Sequence, residues 1–341
     1  MTDKPLSGRI LSAGVSLLFV VVFIFMFSRT PSEAVRYFFT GPFRNRYFFG
    51  NMINSAVPFI FTGLGISVAF KASLFNLGGE GQIYAGAVTA AAVCLAFPGG
   101  YAIPVILAAL LAAGIAAGLL AVLSGFLKVK WNVDSMISSF LVSGAVLYIV
   151  DYLITGPLDD PASSLLSTSE IGSRYFLPFI LLPSKLNISI IYGLLFSAGT
   201  AFLVFSTKWG YEMRMSGYSR SFAGYGGIKV SRYITTPFFV SGFLHGVGGA
   251  FAVLGTYHMA IKGFTSGFGW GGIAVALLAD SSPLGVIPAA LFSSYLKSGA
   301  AAAMQYSDLT MELAVAAQAV VYFFITSETV YTLFRRRRIR K

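Results

Sequence analysis

FNLGGEGQ, residues 75–82, lies between two strongly apolar segments and sets three glycines, two amides and a carboxylate where hydropathy points to membrane depth. An ionisable group in hydrocarbon costs about 2.5–3.5 kcal/mol even on a mild scale, so Glu80 must face a polar cavity or protein rather than lipid. Gly78, Gly79 and Gly81 each weaken a helix by about 1 kcal/mol. That predicts an unwound backbone whose open amides line a cavity or are buried in protein. The stretch therefore reads as a break between helices in a protein interior. Two roles are open for its polar groups. Asn76 and Gln82 cap helix ends while Glu80 pairs locally, or all three lie on a transport path.

Outward from this break, composition fixes the class. The chain has 341 residues, 56% of them hydrophobic and only 11% charged, against about a quarter charged in soluble domains. It reads as an all-α, polytopic membrane helix bundle. The net charge of +11 raises the question of nucleic acid, but RRRRIRK, residues 335–341, supplies six of those charges directly after an apolar helix. Such a cluster holds that end in the cytoplasm and can touch anionic membrane lipid. With no soluble domain to present the charge, no nucleic-acid partner is expected. The single cysteine, Cys94, excludes an internal disulfide and gives no thiol metal site, and two histidines are too few for a zinc-protease motif. No metal is expected.

Hydropathy gives spans at 10–27, 54–70, 83–97, 103–126, 133–155, 188–207, 233–260 and 311–334. The first is long and lacks a small-residue cleavage site, which disfavours a signal peptide. Pro58 is expected to kink the second. Spans three and four are crowded with Ala and Gly, which let membrane helices approach closely and predict burial. Residues 28–51 and 156–187 read as polar connections. Two short apolar pieces, 271–279 and 285–296, are separated by the polar run from Asp280 to Pro283. Neither crosses about 30 Å alone, so they read as short or discontinuous helices near the midplane. The whole chain, 1–341, is expected to form one transmembrane domain of about ten passes. Placing both termini in the cytoplasm puts most of the 24 Lys and Arg residues inside, although Arg29, Arg36, Arg44 and Arg46 fall outside. A weak repeat also shows: Gly79, Gly81 and Ile83 recur as Gly269, Gly271 and Ile273 before a second small-residue helix. If it is a duplication, the two glycine breaks flank one central cavity.

FNLGGEGQ, followed by IYAGAVTAA, resembles the FNIGxEGQ signature of permease subunits in bacterial ABC importers, in the nucleoside and simple-sugar branch of the ribose and branched-chain amino acid permease superfamily. The most polar internal stretch, 208–232, contains GYEMRMSGYSRSFAGYGGI, which is similar to that family's GYELRAVGxNxxAARYAGI coupling loop. GFGWGGIAVALL, 267–278, looks like its third signature. Asp280 stands where a small or basic residue is expected, and Ser219 and Ser221 flank Arg220 where the family often has Asn or Pro. These departures bear on substrate class and partner pairing.

The resemblance implies a non-enzymatic permease in the bacterial inner membrane that works with an ABC ATPase, a second permease subunit in a heterodimer, and an extracytoplasmic substrate-binding lipoprotein. No GxxxxGK[ST] loop occurs, so the chain cannot cradle ATP itself; the resemblance implies no cofactor in this chain, with ATP and magnesium on the partner ATPase. The coupling residues it implies are Gly210, Tyr211, Glu212, Arg214, Gly217, Tyr225 and Gly227. A nucleoside is the leading cargo, with simple sugars the alternative. Asn76, Glu80 and Gln82 would bond a neutral hydroxyl-bearing molecule, and Phe75 and Trp270 could stack on a base. An ion-coupled secondary transporter would also show broken helices. An intramembrane enzyme would need His245 and His258 together, but 13 residues of helix separate them by about 20 Å.

Overall fold

A computed structural model describes residues 6–326. The basic tail at 335–341 and the end of the last expected span lie outside these residues. The chain is an all-α membrane bundle, as its composition predicts, and it divides into two compact units.

The first unit takes the described parts of Met1–Met52 and Ser294–Lys341. Helix α1 (Leu6–Phe27) packs along α13 (Met311–Thr326). Residues 28–51, expected as a connection, are largely helical: α2 spans Pro31–Thr40, and α3 (Arg46–Lys71) begins well before the expected 54. Hydropathy misses α2 because its apolar residues occupy one face only. Pro31 sits in its first turn, where a missing N–H costs nothing, and Ala34 and Phe38 are buried. Against α2 lies the second half of α12 (Val286–Tyr306), where Gly299 brings the helix up to the Phe38 carbonyl. Asp308, between α12 and α13, accepts from the Ser28 and Thr30 hydroxyls and the Arg29 amide at 2.6–2.8 Å. These bonds hold its carboxyl well below the usual carboxylate range.

The second unit, Ile53–Ser293, is built round α10 (Arg232–Ala252), which packs on α4 (Gly79–Ala96) and α5 (Ala102–Trp131). Small residues make that possible. A Cβ at Gly246 would lie 2.2 Å from the Ala113 carbonyl, and one at Gly249 2.0 Å from that of Ile83. Where lipid removes the hydrophobic drive between helices, such close backbone approach supplies the packing energy. Around this trio stand α6 (Ser135–Thr155), α7 (Ser189–Ser206), α8 (Lys208–Tyr218), α9 (Arg220–Tyr225) and α11 (Phe268–Leu278).

Among the described residues, five helices have the length and apolarity to cross a membrane: α3, α5, α6, α7 and α10 with its π-turn to Tyr257. Of the two expected short pieces, α11 is short, at 11 residues, but the second belongs to the 21-residue α12. Ser293, Ser294 and Lys297 interrupt its hydropathy while its alanines favour helix. The connection at 156–187 carries an antiparallel hairpin of β1 (Phe179–Leu181) and β2 (Leu186–Asn187). It is tied to the end of α10 by Asn187, which donates to the Gly255 carbonyl and to Asn54.

Candidate functional site

The break lies one half-turn earlier than the glycines suggest. The chain is irregular from Leu74 to Gly78, and GEGQ, 79–82, enters α4 as its first turn. The reason is packing: a Cβ at Gly81 would come within 2.7 Å of the Ser143 carbonyl, so glycine here admits a neighbouring backbone rather than unwinding its own.

Asn76 and Gln82 face each other across the break. Gln82 Nε2 donates to Asn76 Oδ1 at 3.0 Å, and Asn76 Nδ2 donates back to Gln82 Oε1 at 2.9 Å and to Ser241 Oγ at 2.9 Å. The Gly78 amide also donates to Asn76 Oδ1, at 2.9 Å. Two serines of α6 complete the cap: Ser139 Oγ accepts from Leu77 N, and Ser143 Oγ accepts from Gly81 N. Both side-chain amides are buried, and each finds partners inside the protein.

Glu80 points away from this pair. It is 6% exposed, and its two oxygens accept from Gly267 N at 2.9 Å and Gly269 N at 2.7 Å. A carboxylate carried on the first turn of α4 therefore caps the start of α11, where open amides and the helix dipole favour negative charge. The two glycine breaks that the repeat pointed to do meet, but they abut: a Cβ on Gly269 would touch the Glu80 amide nitrogen at 2.2 Å. One turn further along α4, Tyr84 donates to Asp151 and accepts from Gly263 N. Glu80 and Tyr84 thus fasten the loop before α11, in which His258, Gly263, Ser266 and Gly267 all have positive φ.

Phe75 and Trp270 sit at the margin of this buried core. Phe75 is 51% exposed and lies 5.2 Å from the Phe70 ring; Trp270 is 44% exposed and lies 5.8 Å from Phe140, itself exposed. Phe140 went unnoticed in the sequence, as did the serines. A signal for the serines was present: Ser135, Ser139 and Ser143 recur every four residues in the mostly apolar first half of α6, and all three are buried. The histidines occupy separate surroundings. His245 is buried against Gly65 and Gly79, while His258 stacks on Phe176 at 3.7 Å. Burial pushes the His258 imidazole down, Lys185 adds to that and Glu170 opposes it.

Residues 208–227 form two short helices. Gly210 and Gly217 face inward, seating α8 against the Val204 carbonyl and the Ala72 backbone. Glu212 accepts from the Tyr233 hydroxyl and lies 3.7 Å from Lys208, and the Arg214 guanidinium sits 5.2 Å from the Phe205 ring centre. Tyr211 and Tyr225 point outward with Tyr218 and Phe222, and Tyr225 is 94% exposed. Gly227 takes φ +79, a conformation that favours glycine. The inner residues fix the arm, and the aromatic rings form its free face.

Residues 48–326 match the family described as the permease component of branched-chain amino acid transport systems. A guanosine ABC transporter permease, NupP of Bacillus subtilis, is 33% identical over 84% of this chain and 83% of its own length. A probable riboflavin import permease, RfuC of Treponema pallidum, is 30% identical over 92% and 83%. A glucose ABC transporter permease, TsgB13 of Haloferax volcanii, is 27% identical over 91% and 83%. No solved structure gives a significant match. The family match and the two relatives at 30% identity or above agree with the resemblance carried by FNLGGEGQ: the chain belongs to the permease-component family of the branched-chain amino acid transport systems and is a multi-pass membrane permease.

Proposed function

We propose that this permease is the membrane-spanning subunit of an ABC importer for nucleosides or closely related ring-bearing, hydroxyl-rich molecules. The observation that carries the cargo class is the 33% identity, along most of both chains, to a permease named for guanosine. Another relative is named as a probable riboflavin import permease, and riboflavin too is a fused ring with a polyol chain; the exposed rings of Phe75, Phe140 and Trp270 offer faces for stacking. Simple sugars are the second reading, favoured by the glucose-named relative.

In this reading the buried amides and Glu80 hold two helix starts in register, and the exposed rings beside them face the cargo. A second permease subunit completes the path. A separate ATPase, which holds ATP and magnesium, docks on the α8–α9 arm, with Tyr211 and Tyr225 at the contact and Gly210, Glu212, Arg214, Gly217 and Gly227 shaping it. A substrate-binding lipoprotein delivers cargo from outside, and both termini lie in the cytoplasm of a bacterial inner-membrane complex. ATP-driven closure of the ATPase pair moves the arm, and the bundle rocks between outward-open and inward-open arrangements. No residue of this chain makes or breaks a bond.

The test is uptake of labelled guanosine by the complete complex, challenged with excess ribose, galactose or leucine. Nucleosides should compete at the lowest concentration. Competition by a sugar at lower concentration moves the cargo to the second reading. Uptake that persists without ATP, on an ion gradient alone, overturns the importer assignment.

A further inference from the structure

The first unit holds a notch of about 300 Å³ lined by Arg36, Tyr37, Thr40, Phe43 and Arg44. Arg44 is held in place: its guanidinium carbon lies 4.5 Å from the Tyr306 ring centre and 5.9 Å from that of Tyr37, and the two rings stack at 5.0 Å. A guanidinium stacked on aromatic faces keeps its planar fork of donors free for a ligand. Arg36 adds a second cation from α2, and Tyr37 and Thr40 line the same opening, the Thr40 hydroxyl donating to the Arg36 carbonyl at 2.7 Å.

Neither arginine forms an ion pair among the described residues, Glu33 on the first turn of α2 included. Among the described residues, the other acidic groups of this unit are placed elsewhere: Asp308 is taken by Ser28, Arg29 and Thr30, and Glu312 lies in the first turn of α13, next to Thr310. Two guanidinium groups at one opening, without a paired counter-charge, call for an anion with several acceptor oxygens. Phosphate fits this fork geometry, because two parallel N–H···O bonds form to one group.

The surroundings identify where that phosphate comes from. The notch sits on an amphipathic helix joined directly to the start of the membrane-spanning α3, and Phe43, Tyr47 and Phe49 are exposed around it. Aromatic side chains of this kind gather at the level of lipid headgroups. We propose that the Arg36–Arg44 notch is a binding site for the phosphate headgroup of an anionic phospholipid. The orientation proposed above leaves both arginines outside, where positive charge is disfavoured, and a bound lipid phosphate gives them a use. The notch itself does not depend on that orientation.

The full-length chain, delipidated in detergent and titrated with dioleoyl phosphatidylglycerol or dioleoyl phosphatidylcholine, is read by native mass spectrometry. Phosphatidylglycerol should bind at least about tenfold more tightly, and R36Q/R44Q should remove about that preference, since a charge-assisted fork is lost. R44K should fall between the two, keeping charge without the fork, and R174Q, an exposed cation in the 156–187 connection, should leave the phosphatidylglycerol preference unchanged. A thermal unfolding midpoint within a few degrees of the parent shows that R36Q/R44Q remains folded; if it does not, R44K against the parent decides. Equal phosphatidylglycerol affinity in parent and variant overturns the proposal. So does unchanged lipid affinity with loss of complex formation with an acidic soluble binding protein, which makes the notch a protein-docking site. Because lipid is read without cargo, failure here leaves the nucleoside assignment untouched.

Discussion

Two glycine-rich stretches, 75–82 and 208–227, share one use of glycine and differ in another. In the first, glycine removes a side chain so that another backbone can come close: Gly81 meets Ser143, and Gly79 lies between His245 and Gly269. In the second, Gly210 and Gly217 do the same at the base of α8, but Gly224 and Gly227, further out, have nothing within 4 Å where a Cβ would stand. The polar groups divide the same way. Asn76, Glu80 and Gln82 are buried and fully partnered inside the protein, whereas the arm turns exposed aromatic rings outward. The first stretch is a buried joint whose parts hold one another; the second is anchored at its base and leaves its outer face exposed.

The largest effect expected from this contrast is steric. Gly81→Val must push the α6 backbone at Ser143 away from α4, and overpacking a fitted interior costs about 1–3 kcal/mol or more. Gly224→Ala enters open space at a φ outside the left-handed region, so it should leave stability unchanged or raise it by a few tenths up to about 1 kcal/mol. Thermal unfolding of both variants in the same detergent checks the pair. A Gly81→Val protein as stable as its parent would show the joint to be loose.

A smaller difference is expected from carboxylates. Glu80→Ala leaves the Gly267 and Gly269 amides without their acceptor, and losing hydrogen bonds to a buried charged group costs about 1.5–3 kcal/mol. Glu212→Ala removes a partly exposed group with a tyrosine and a lysine as partners. It should change stability little and act instead on the ATP hydrolysis that cargo stimulates. The measurements are unfolding for Glu80 and stimulated hydrolysis in the assembled complex for Glu212; an exchange of these effects would dissolve the distinction between joint and arm.

The sequence carried much of the joint, and the physical reason is cost. Three glycines and a carboxylate at membrane depth are expensive unless something compensates, so the interior placement of Glu80 followed directly. What compensates was not legible, because Ser139, Ser143, Ser241 and the amides of Gly267 and Gly269 are distant in sequence and only packing brings them in. Glycine's weak helix propensity predicted unwinding at 79–82, and tertiary packing overrode it. The long spans were legible from their apolar length. α2 was not, since an amphipathic ten-residue helix has no hydropathy peak, and α12 was cut short because its serines are buried rather than at an end.

The smallest effect concerns the ion pair on the arm. Lys208 Nζ lies 3.7 Å from Glu212 Oε1, one helical turn apart, but the lysine side chain is 88% exposed and the glutamate 21%. Water and salt screen such a pair, and an i,i+4 contact of this kind is worth about 0.3–0.5 kcal/mol at most. Glu212 also keeps its bond from the Tyr233 hydroxyl when the lysine is removed, so its carboxylate does not lose its place. Lys208→Ala should therefore shift the unfolding midpoint by less than the scatter between preparations, and raising the salt concentration should erase even that. The same measurement on Asn76→Ala is the counterpart, because it strips the Gly78 amide and both ends of the Gln82 amide of their partner in a buried site. A Lys208→Ala loss as large as that of Asn76→Ala would mean that the arm, too, is held as a joint.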